Sequence, residues 1–431
     1  MKRKLALILA FALALSLFAG CQSKAPTSSD NPPASGGTTT PDAAKPAEKV
    51  SLEFYIWDEL QAPAAQQMID GFRKDHENVE IELTAIPFDQ YITKMQTVLS
   101  TGTGPDVCWL NTSLSSQYMS TGALEPLTPL AERDGYDLSH LNQNIIDGHS
   151  YDGTLYAIPK DLDTVVVFYN KELFDRAGVP YPDNAWTWDQ FRETAKACTI
   201  DGVQYGYTNN NNERTYYSLI MANGGSIFNE DHTKATVNTS VAIDAIQFLC
   251  DMAAVDHSAP SGPEAIELGD QTLFLNGQAA LDINGSWVFA PYAEALGDKL
   301  GVAEMPTGSK GKSSISHGIG YAMPKGGDNV DVAWEFLKYL GSDEAQAFQA
   351  KDVIPANNNV AGKWAEQYPD YDLSAVISAL EYSPILPLAS KNPAAVREQL
   401  KAAIQEIWLG TSDIPTALAK AEENMNAEIA K

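Results

Sequence analysis

From Val50 onward the polar and apolar positions alternate in two different rhythms. SLEFYIW (51–57) and VEIELTAI (79–86) read as strands, the second with the two-residue period of a half-exposed strand. Between them, 60–75 places Leu60, Ala64, Met68, Ile69 and Phe72 on one helical face. Tyr91, Met95, Val98 and Leu99 mark a second helix. After Gly102, Gly104 and Pro105 the run DVCWL reads as a buried strand, completing a β-α-β-α-β series, the unit of a parallel sheet. A second series opens at TVVVFYN (164–170). Thr187 to Gln190 forms a capping box for a helix reaching about Cys198, another helix covers about 240–255, and ALDIN (280–284) reads as a strand. GIGYAMP (318–324) is strand-like, and Val332, Ala333, Phe336, Leu337 and Leu340 form the apolar face of a helix. From about 393 the chain is helical, with Val396, Leu400, Ile404, Ile407 and Trp408 in register. No repeat of 20 to 50 residues is visible, and the fold class predicted is α/β in two successive lobes.

The segment before Val50 obeys other rules. A basic start (Lys2, Arg3, Lys4), an apolar run from Leu5 to Phe18 and the small pair Ala19–Gly20 precede Cys21, which is the pattern of a secretory signal over 1–20. The run is shorter than the ~20 residues of a comfortable membrane span. The junction resembles a lipobox, with Phe18 where Leu is usual, so Cys21 is predicted to be lipidated and to anchor the chain through acyl chains. Residues 22–49 hold Ser, Thr, Pro, Gly and Ala without large apolar side chains. They cannot bury a core and read, with Cys21, as a disordered tether (21–49) that holds the rest on the order of 30 Å from a bilayer.

Composition narrows the partners. The formal charge is −27, and −30 once the three signal cations are gone, which argues against nucleic acid or anionic lipid as direct partners. After Cys21 three cysteines remain, Cys108, Cys198 and Cys250. An odd number makes no complete disulfide framework, so buried thiols are the default, with a Cys198–Cys250 bridge left open.

Four segments carry a resemblance: TGTGPDVCWLN (101–111), IPKDLDTVVVFYNKELFDRAGVPYPDNAWTWDQF (158–191), LDINGSW (281–287) and AWEFLKYLGSDEAQ (333–346). In order and spacing they resemble the extracellular solute-binding proteins of ABC importers, in the carbohydrate-binding group that includes the maltose-binding proteins. Tyr169–Asn170–Lys171 with Leu173–Phe174 and Ala177–Gly178 is the most specific stretch. The resemblance implies two α/β lobes with a ligand cleft between them and closure by hinge bending. It places crossings at Pro159 to Thr164, near Ser316 to Gly320 and near Val353 to Asn357. Lobe 1 would then be 50–160 plus 318–352, and lobe 2 would be 161–317 plus 353–431. It further implies a monomer that captures a sugar or oligosaccharide and delivers it to the transmembrane subunits of a permease, without cofactor or metal.

A sugar needs aromatic rings for its C–H faces and ionised or amide groups for its hydroxyls. Trp57 closes the first strand and is followed by Asp58 and Glu59, and Trp287 ends the turn after another strand. Asn111 follows DVCWL directly, as a ligand contact or as a simple turn residue. Asp161 and Asp163 lie in the first crossing, where hinge hydrogen bonds are the alternative. Arg214 follows the polar run Asn209 to Asn212, and His317 with Gly318 borders the second crossing. Asp106, ahead of a buried strand, reads as a structural cap.

Other chemistries find little support. Gly311–Lys312–Ser313 ends like a Walker A motif, but Pro306 stands where its first glycine is needed. No G-x-S-x-G elbow occurs and no histidine pair has H-E-x-x-H spacing. A glycan hydrolase needs two carboxylates roughly 5 to 9.5 Å apart, which sequence does not test. A polyol or a glycerol phosphate ester stays open as ligand, the latter needing a basic site beyond Arg214.

Overall fold

A computed structural model describes residues 49–431; Cys21, the predicted signal and nearly all of the tether lie outside the described residues. Eleven strands are present among them. β1 (Val50–Ile56), β2 (Val79–Ala85) and β3 (Val107–Asn111) are followed by the short hairpin β4 (Ser150–Tyr151) and β5 (Thr154–Leu155), then β6 (Ala157–Asn170). The rest are β7 (Tyr205–Tyr207), β8 (Ala279–Gly285), β9 (Leu300–Ala303), β10 (Ser316–Ala322) and β11 (Ile354–Pro355).

Outside the hairpin the strands form one sheet in the order β2-β1-β3-β10-β6-β8-β7, with β9 and β11 also paired to β6. β1 pairs parallel with β2, from Val50 opposite Val79 to Ile56 opposite Ala85, and parallel with β3. This is the predicted βαβαβ unit. β10 runs antiparallel between β3 and the first half of β6, and the second half of β6 runs antiparallel to β8 and β9.

The interior divides accordingly. Around β1 and β3, Leu52, Phe54 and Trp109 pack with the helices Ala62–Arg73 and Val330–Leu340. Further along the chain the side chains of β6 separate by parity, as the pleat requires. Val165, Val167 and Tyr169 join a core with the C-terminal helices Pro393–Trp408 and Ile414–Ile429. Val166 and Phe168 enter a different one with Phe274, Tyr292 and Trp364. The capping box is present: the Gln190 backbone N–H donates to Thr187 Oγ1 at 3.3 Å, and the Thr187 N–H donates to Gln190 Oε1 at 2.8 Å.

Two expectations change, and one open alternative closes. The strand read from Thr164 begins at Ala157, so the crossing at Pro159 to Thr164 is itself part of a fourteen-residue strand. Leu60 is 77% exposed, because the helix begins only at Ala62, after a 3-10 turn over Glu59–Gln61 that Asp58 caps. Cys108, Cys198 and Cys250 are all free thiols, the default reading, with Cys108 and Cys198 buried and Cys250 partly so; the bridge left open between the last two is not formed. Burial pushes the Cys198 thiol up to about 11 and the Cys250 thiol up to about 12, which keeps both protonated and unreactive.

Phe168 is fully buried in β6 and meets Tyr292 edge-on, with centroids 5.2 Å apart. Phe168→Ala should cost about 3–5 kcal/mol, read as a lower urea midpoint; an unchanged midpoint would show that this part of β6 does not anchor the core.

Candidate functional site

The strands deliver their chemistry where they end. Directly after β1, Trp57 packs edge-on against Tyr91 and Trp109, each 5.2 Å between centroids, and against Phe88 at 5.6 Å. It is thus fixed by its own half of the sheet while still lining a cavity of about 290 Å³. Asp58 follows, and both its oxygens are used locally: Oδ1 accepts from the Leu60 N–H at 2.9 Å and Oδ2 from Gln61 Nε2 at 2.8 Å. Gln61 in turn accepts from Lys160 Nζ at 2.8 Å, joining this turn to β6.

Lys160 and Asp161 are buried, their Nζ and Oδ2 2.6 Å apart, and Asp161 Oδ1 accepts the Ile319 N–H of β10 at 3.0 Å. Burial pushes the Asp161 carboxyl up while the Lys160 ammonium pulls it down. A buried pair in which each charge finds further hydrogen bonds is the tolerable form of a buried ion pair. Lys160 also lies 4.4 Å from the Trp109 ring centroid.

Two residues on, Asp163 is the one member of β6 that is not buried. Three groups converge around it. Arg214 Nη1 is 3.9 Å from Asp163 Oδ1, His317 Nδ1 is 3.4 Å from Asp163 Oδ2, and the Arg214 guanidinium carbon lies 4.3 Å from the Trp287 ring centroid. Arg214 is held by the start of the helix Glu213–Ala222, where the Asn212 side chain accepts the Arg214 N–H at 3.0 Å. Trp287 turns back across the end of β8: a Cβ on Gly285 would lie 1.5 Å from its ring, so glycine is what permits that placement.

Burial, reinforced by Arg214, lowers the His317 pKa, against the opposite pull of Asp163. The imidazole is therefore neutral at pH 7. With its Nδ1–H assigned toward Asp163, Nε2 is a bare acceptor. Asp163 Oδ1, Arg214 Nε and His317 Nε2 are each buried without a hydrogen-bond partner. Buried polar atoms are normally paired, and here two acceptors and a donor, all on cavity-lining residues, await a partner.

Trp57, Asp58, Asn111, Asp161, Asp163, Arg214, Trp287 and His317 all line this one cavity. Asn111 also has a capping task, its Oδ1 accepting from the Leu114 N–H at 2.9 Å and from Ser113 Oγ at 3.0 Å. Two of the sequence-predicted residues do not line it. Glu59 is exposed in the 3-10 turn, and Gly318 is buried in β10, where a Cβ would come within 2.6 Å of the Asp161 carbonyl oxygen. Asp106 is structural, accepting the Glu53 N–H at 2.8 Å.

Gln61, Ser286 and Trp364 on the walls were not singled out from the sequence, and Asn212 was named only as the end of the polar run before Arg214. Gln61 and Asn212 adjoin residues that were singled out, and their polarity was the available signal; Trp364 carries none. The Trp287 ring also borders two neighbouring cavities, of about 390 and 610 Å³, the larger with Tyr368, Tyr371, Asp352 and Glu294 on its walls. Among the described residues no group of three or more His, Cys, Asp or Glu side chains could hold a metal ion, and no helix is long and apolar enough to cross a membrane.

Comparison with known proteins fits this arrangement. The chain is 26% identical over 309 residues to the arabinooligosaccharide-binding protein of Bacillus subtilis, covering 69% of this chain and 70% of that protein. It is 24% identical over 402 residues to the galactooligosaccharide-binding protein of the same organism, covering 90% and 91%. Among solved structures, an ABC substrate-binding protein from Listeria monocytogenes in complex with cycloalternan superposes with a TM-score of 0.82 at 28% identity, over 89% of this chain and 100% of that one. The GacH receptor of Streptomyces glaucescens shares the fold, with a TM-score of 0.78 at 22% identity, over 89% and 99%. The fold is the two-lobed α/β arrangement of such binding proteins. The family described as bacterial extracellular solute-binding protein matches residues 57–347, and the chain belongs to that family.

Proposed function

We propose that the protein is the carbohydrate receptor of an ATP-driven importer. It would work outside the cytoplasm as a monomer, tied to the outer face of the cell membrane by lipid on Cys21, and would hand its sugar to the transmembrane permease subunits. The observation that carries the sugar reading is the set of three unpartnered buried atoms, Asp163 Oδ1, His317 Nε2 and Arg214 Nε, beside Trp287 and Trp57. Two acceptors and a donor next to indole rings match a ring that carries hydroxyls on its edge and C–H on its faces. The oligosaccharide-binding relatives support the same class. Because Arg214 covers one face of Trp287, a stacked sugar uses the other face or displaces the guanidinium.

The other readings fit the site less well. A phosphate ester would need cationic groups, but Arg214 is opposed by Asp163 and is the one Lys or Arg among the described cavity-lining residues. A hydrolase would need a pair of placed carboxylates. Asp58 and Asp161 have both oxygens engaged by protein donors, which leaves Asp163.

Within this reading 50–160 plus 318–352 form one lobe and 161–317 plus 353–431 the other. The pairing of β10 and β11 with the first half of β6 supports crossings there. A solute bound to both lobes favours the closed form, since only a ligand with different affinities for two states shifts their populations.

Titration calorimetry with a neutral oligosaccharide that raises the melting temperature of the wild type, chosen from arabino-, galacto- and malto-series, should show Trp287→Ala binding at least about tenfold more weakly with circular dichroism retained. Unchanged affinity would remove Trp287 from the site. Separately, Cys21→Ala should move the protein from the membrane fraction to the soluble one in cells that export it; continued membrane retention would contradict the lipid anchor.

A further inference from the structure

Lysine is almost never fully buried unless it is paired, and Lys160 is 1% exposed on the strand that serves both cores. Its orientation has a local cause. On a regular strand neighbouring side chains point to opposite faces, so Lys160 and Asp161 should not meet. The register between β6 and β10 shifts between Ile319 and Gly320: Asp161 stands opposite Ile319 and Pro159 opposite Gly320, which leaves Lys160 without an opposite residue on β10. An extra residue of this kind re-aims a side chain, and here it brings the ammonium to the Asp161 carboxylate, with Nζ and Oδ2 2.6 Å apart. The irregularity is held from behind. The Lys160 carbonyl accepts the Ala356 N–H at 3.0 Å and Gln349 Nε2 at 2.6 Å, and the Pro159 carbonyl accepts Gln346 Nε2 at 2.7 Å. Both glutamines are buried and belong to the helix Asp343–Gln349.

Each contact of the ammonium leads to the cavity at Asp163. Lys160 does not line that cavity, whereas Gln61 and Asp161 do. Gln61 Oε1 accepts from Nζ at 2.8 Å, and Gln61 Nε2 donates to Asp58 Oδ2 at 2.8 Å. Asp161 takes the Ile319 N–H with its other oxygen. Trp109, whose ring centroid is 4.4 Å from Nζ, is one of the rings that Trp57 meets edge-on. Trp57, Asp58 and Ile319 also line the cavity, so one hidden cation reaches a whole wall through a single intervening side chain.

An apolar side chain at 160 would fill the space, as apolar residues often do in place of buried ion pairs. It would leave Gln61 Oε1 and Asp161 Oδ2 without their donor. Directional contacts to two side chains and a ring fix where the wall stands, which apolar packing alone does not.

We propose that Lys160 is a positioning residue for solute binding: without touching the solute, it sets the placement of Trp57, Asp58, Gln61 and Asp161 through its hydrogen bonds and its contact with Trp109. This rests on the cavity being the solute site, as proposed above.

Two measurements on the full chain test it. In the ligand-free protein, hydrogen exchange followed by mass spectrometry should show Lys160→Met accelerating exchange around Leu60 and Ile319, whose N–H groups are held by Asp58 and Asp161. Calorimetry with the neutral oligosaccharide that raises the melting temperature of the wild type should show Lys160→Met binding about tenfold more weakly. Adding Asp161→Asn to Lys160→Met should recover most of both losses, because the amide oxygen keeps the Ile319 N–H and the new Nδ2 replaces the donor to Gln61. A lysine that only stabilised the fold would lower the melting temperature of Lys160→Met yet leave affinity and local exchange as in the wild type; that result, or a double variant no better than the single one, overturns the proposal. If Lys160→Met does not fold, Gln61→Leu carries the test, since it keeps the ion pair and cuts the link to Asp58: exchange around Leu60 should rise, and unchanged exchange overturns the proposal. Failure of every sugar to bind the wild type would overturn the carbohydrate reading instead, and the exchange result would still decide the role of Lys160.

Discussion

The structure depends on one strand having to serve two cores. β6 is fourteen residues long, and thirteen of them are buried, yet its first half pairs with β10 and β11 and its second with β8 and β9. Between the two apolar environments the strand must carry Lys160, Asp161, Asp163 and Thr164, and every buried polar group there needs a partner. Lys160 takes Asp161 and Gln61, Asp161 takes the Ile319 N–H, and Thr164 Oγ1 lies 2.8 Å from both Ser314 and Ser383. The middle of the molecule is therefore joined by directional polar bonds, with the close-packed apolar interior to either side. A seam of this kind orders the chain without burying much apolar area, and the cavity opens against it.

The site follows from that placement. Asp163 is the point at which the strand surfaces, and Arg214, His317 and Trp287 reach it from three separate parts of the chain. Their mutual attraction is incomplete: a 3.9 Å ion pair and a 3.4 Å histidine contact leave polar atoms unpaired. Such a cluster costs stability in the unliganded protein, since an unpaired buried polar atom is more expensive than a modest hydrogen bond is favourable, and under the proposed function a ligand would recover that cost. Family membership makes the chain an extracytoplasmic solute-binding protein; the proposed carbohydrate class rests on the cluster and on the named relatives.

Much of this could be read from the residues because local rules and tertiary packing agree. VEIELTA alternates and is a half-buried strand, VVVF is buried on both faces and reads as a continuous apolar run, and Thr187 to Gln190 caps the helix its spacing announces. Aromatics and carboxylates just after strands found Trp57, Asp58 and Trp287 for the same reason: strand ends are where side chains leave the core. The failures have physical causes. The strand is read only from Thr164 because periodicity assigns strands by apolar content, whereas PKDLDT before it is extended by ladder pairing on both sides and satisfied by distant groups such as Gln61 and Ser383. Leu60 fits a helical stripe, but Pro63 delays the helix and the preceding turn points it outward. Trp364 reaches the cavity from a short helix more than seventy residues beyond Trp287, a proximity that no local pattern encodes.

The central claim is that two lobes joined through β6, β10 and β11 close over a sugar that touches both. Small-angle scattering of the protein with and without a bound oligosaccharide tests it most directly. A smaller radius of gyration in the saturated protein is the predicted result; an unchanged radius at full saturation would contradict the account.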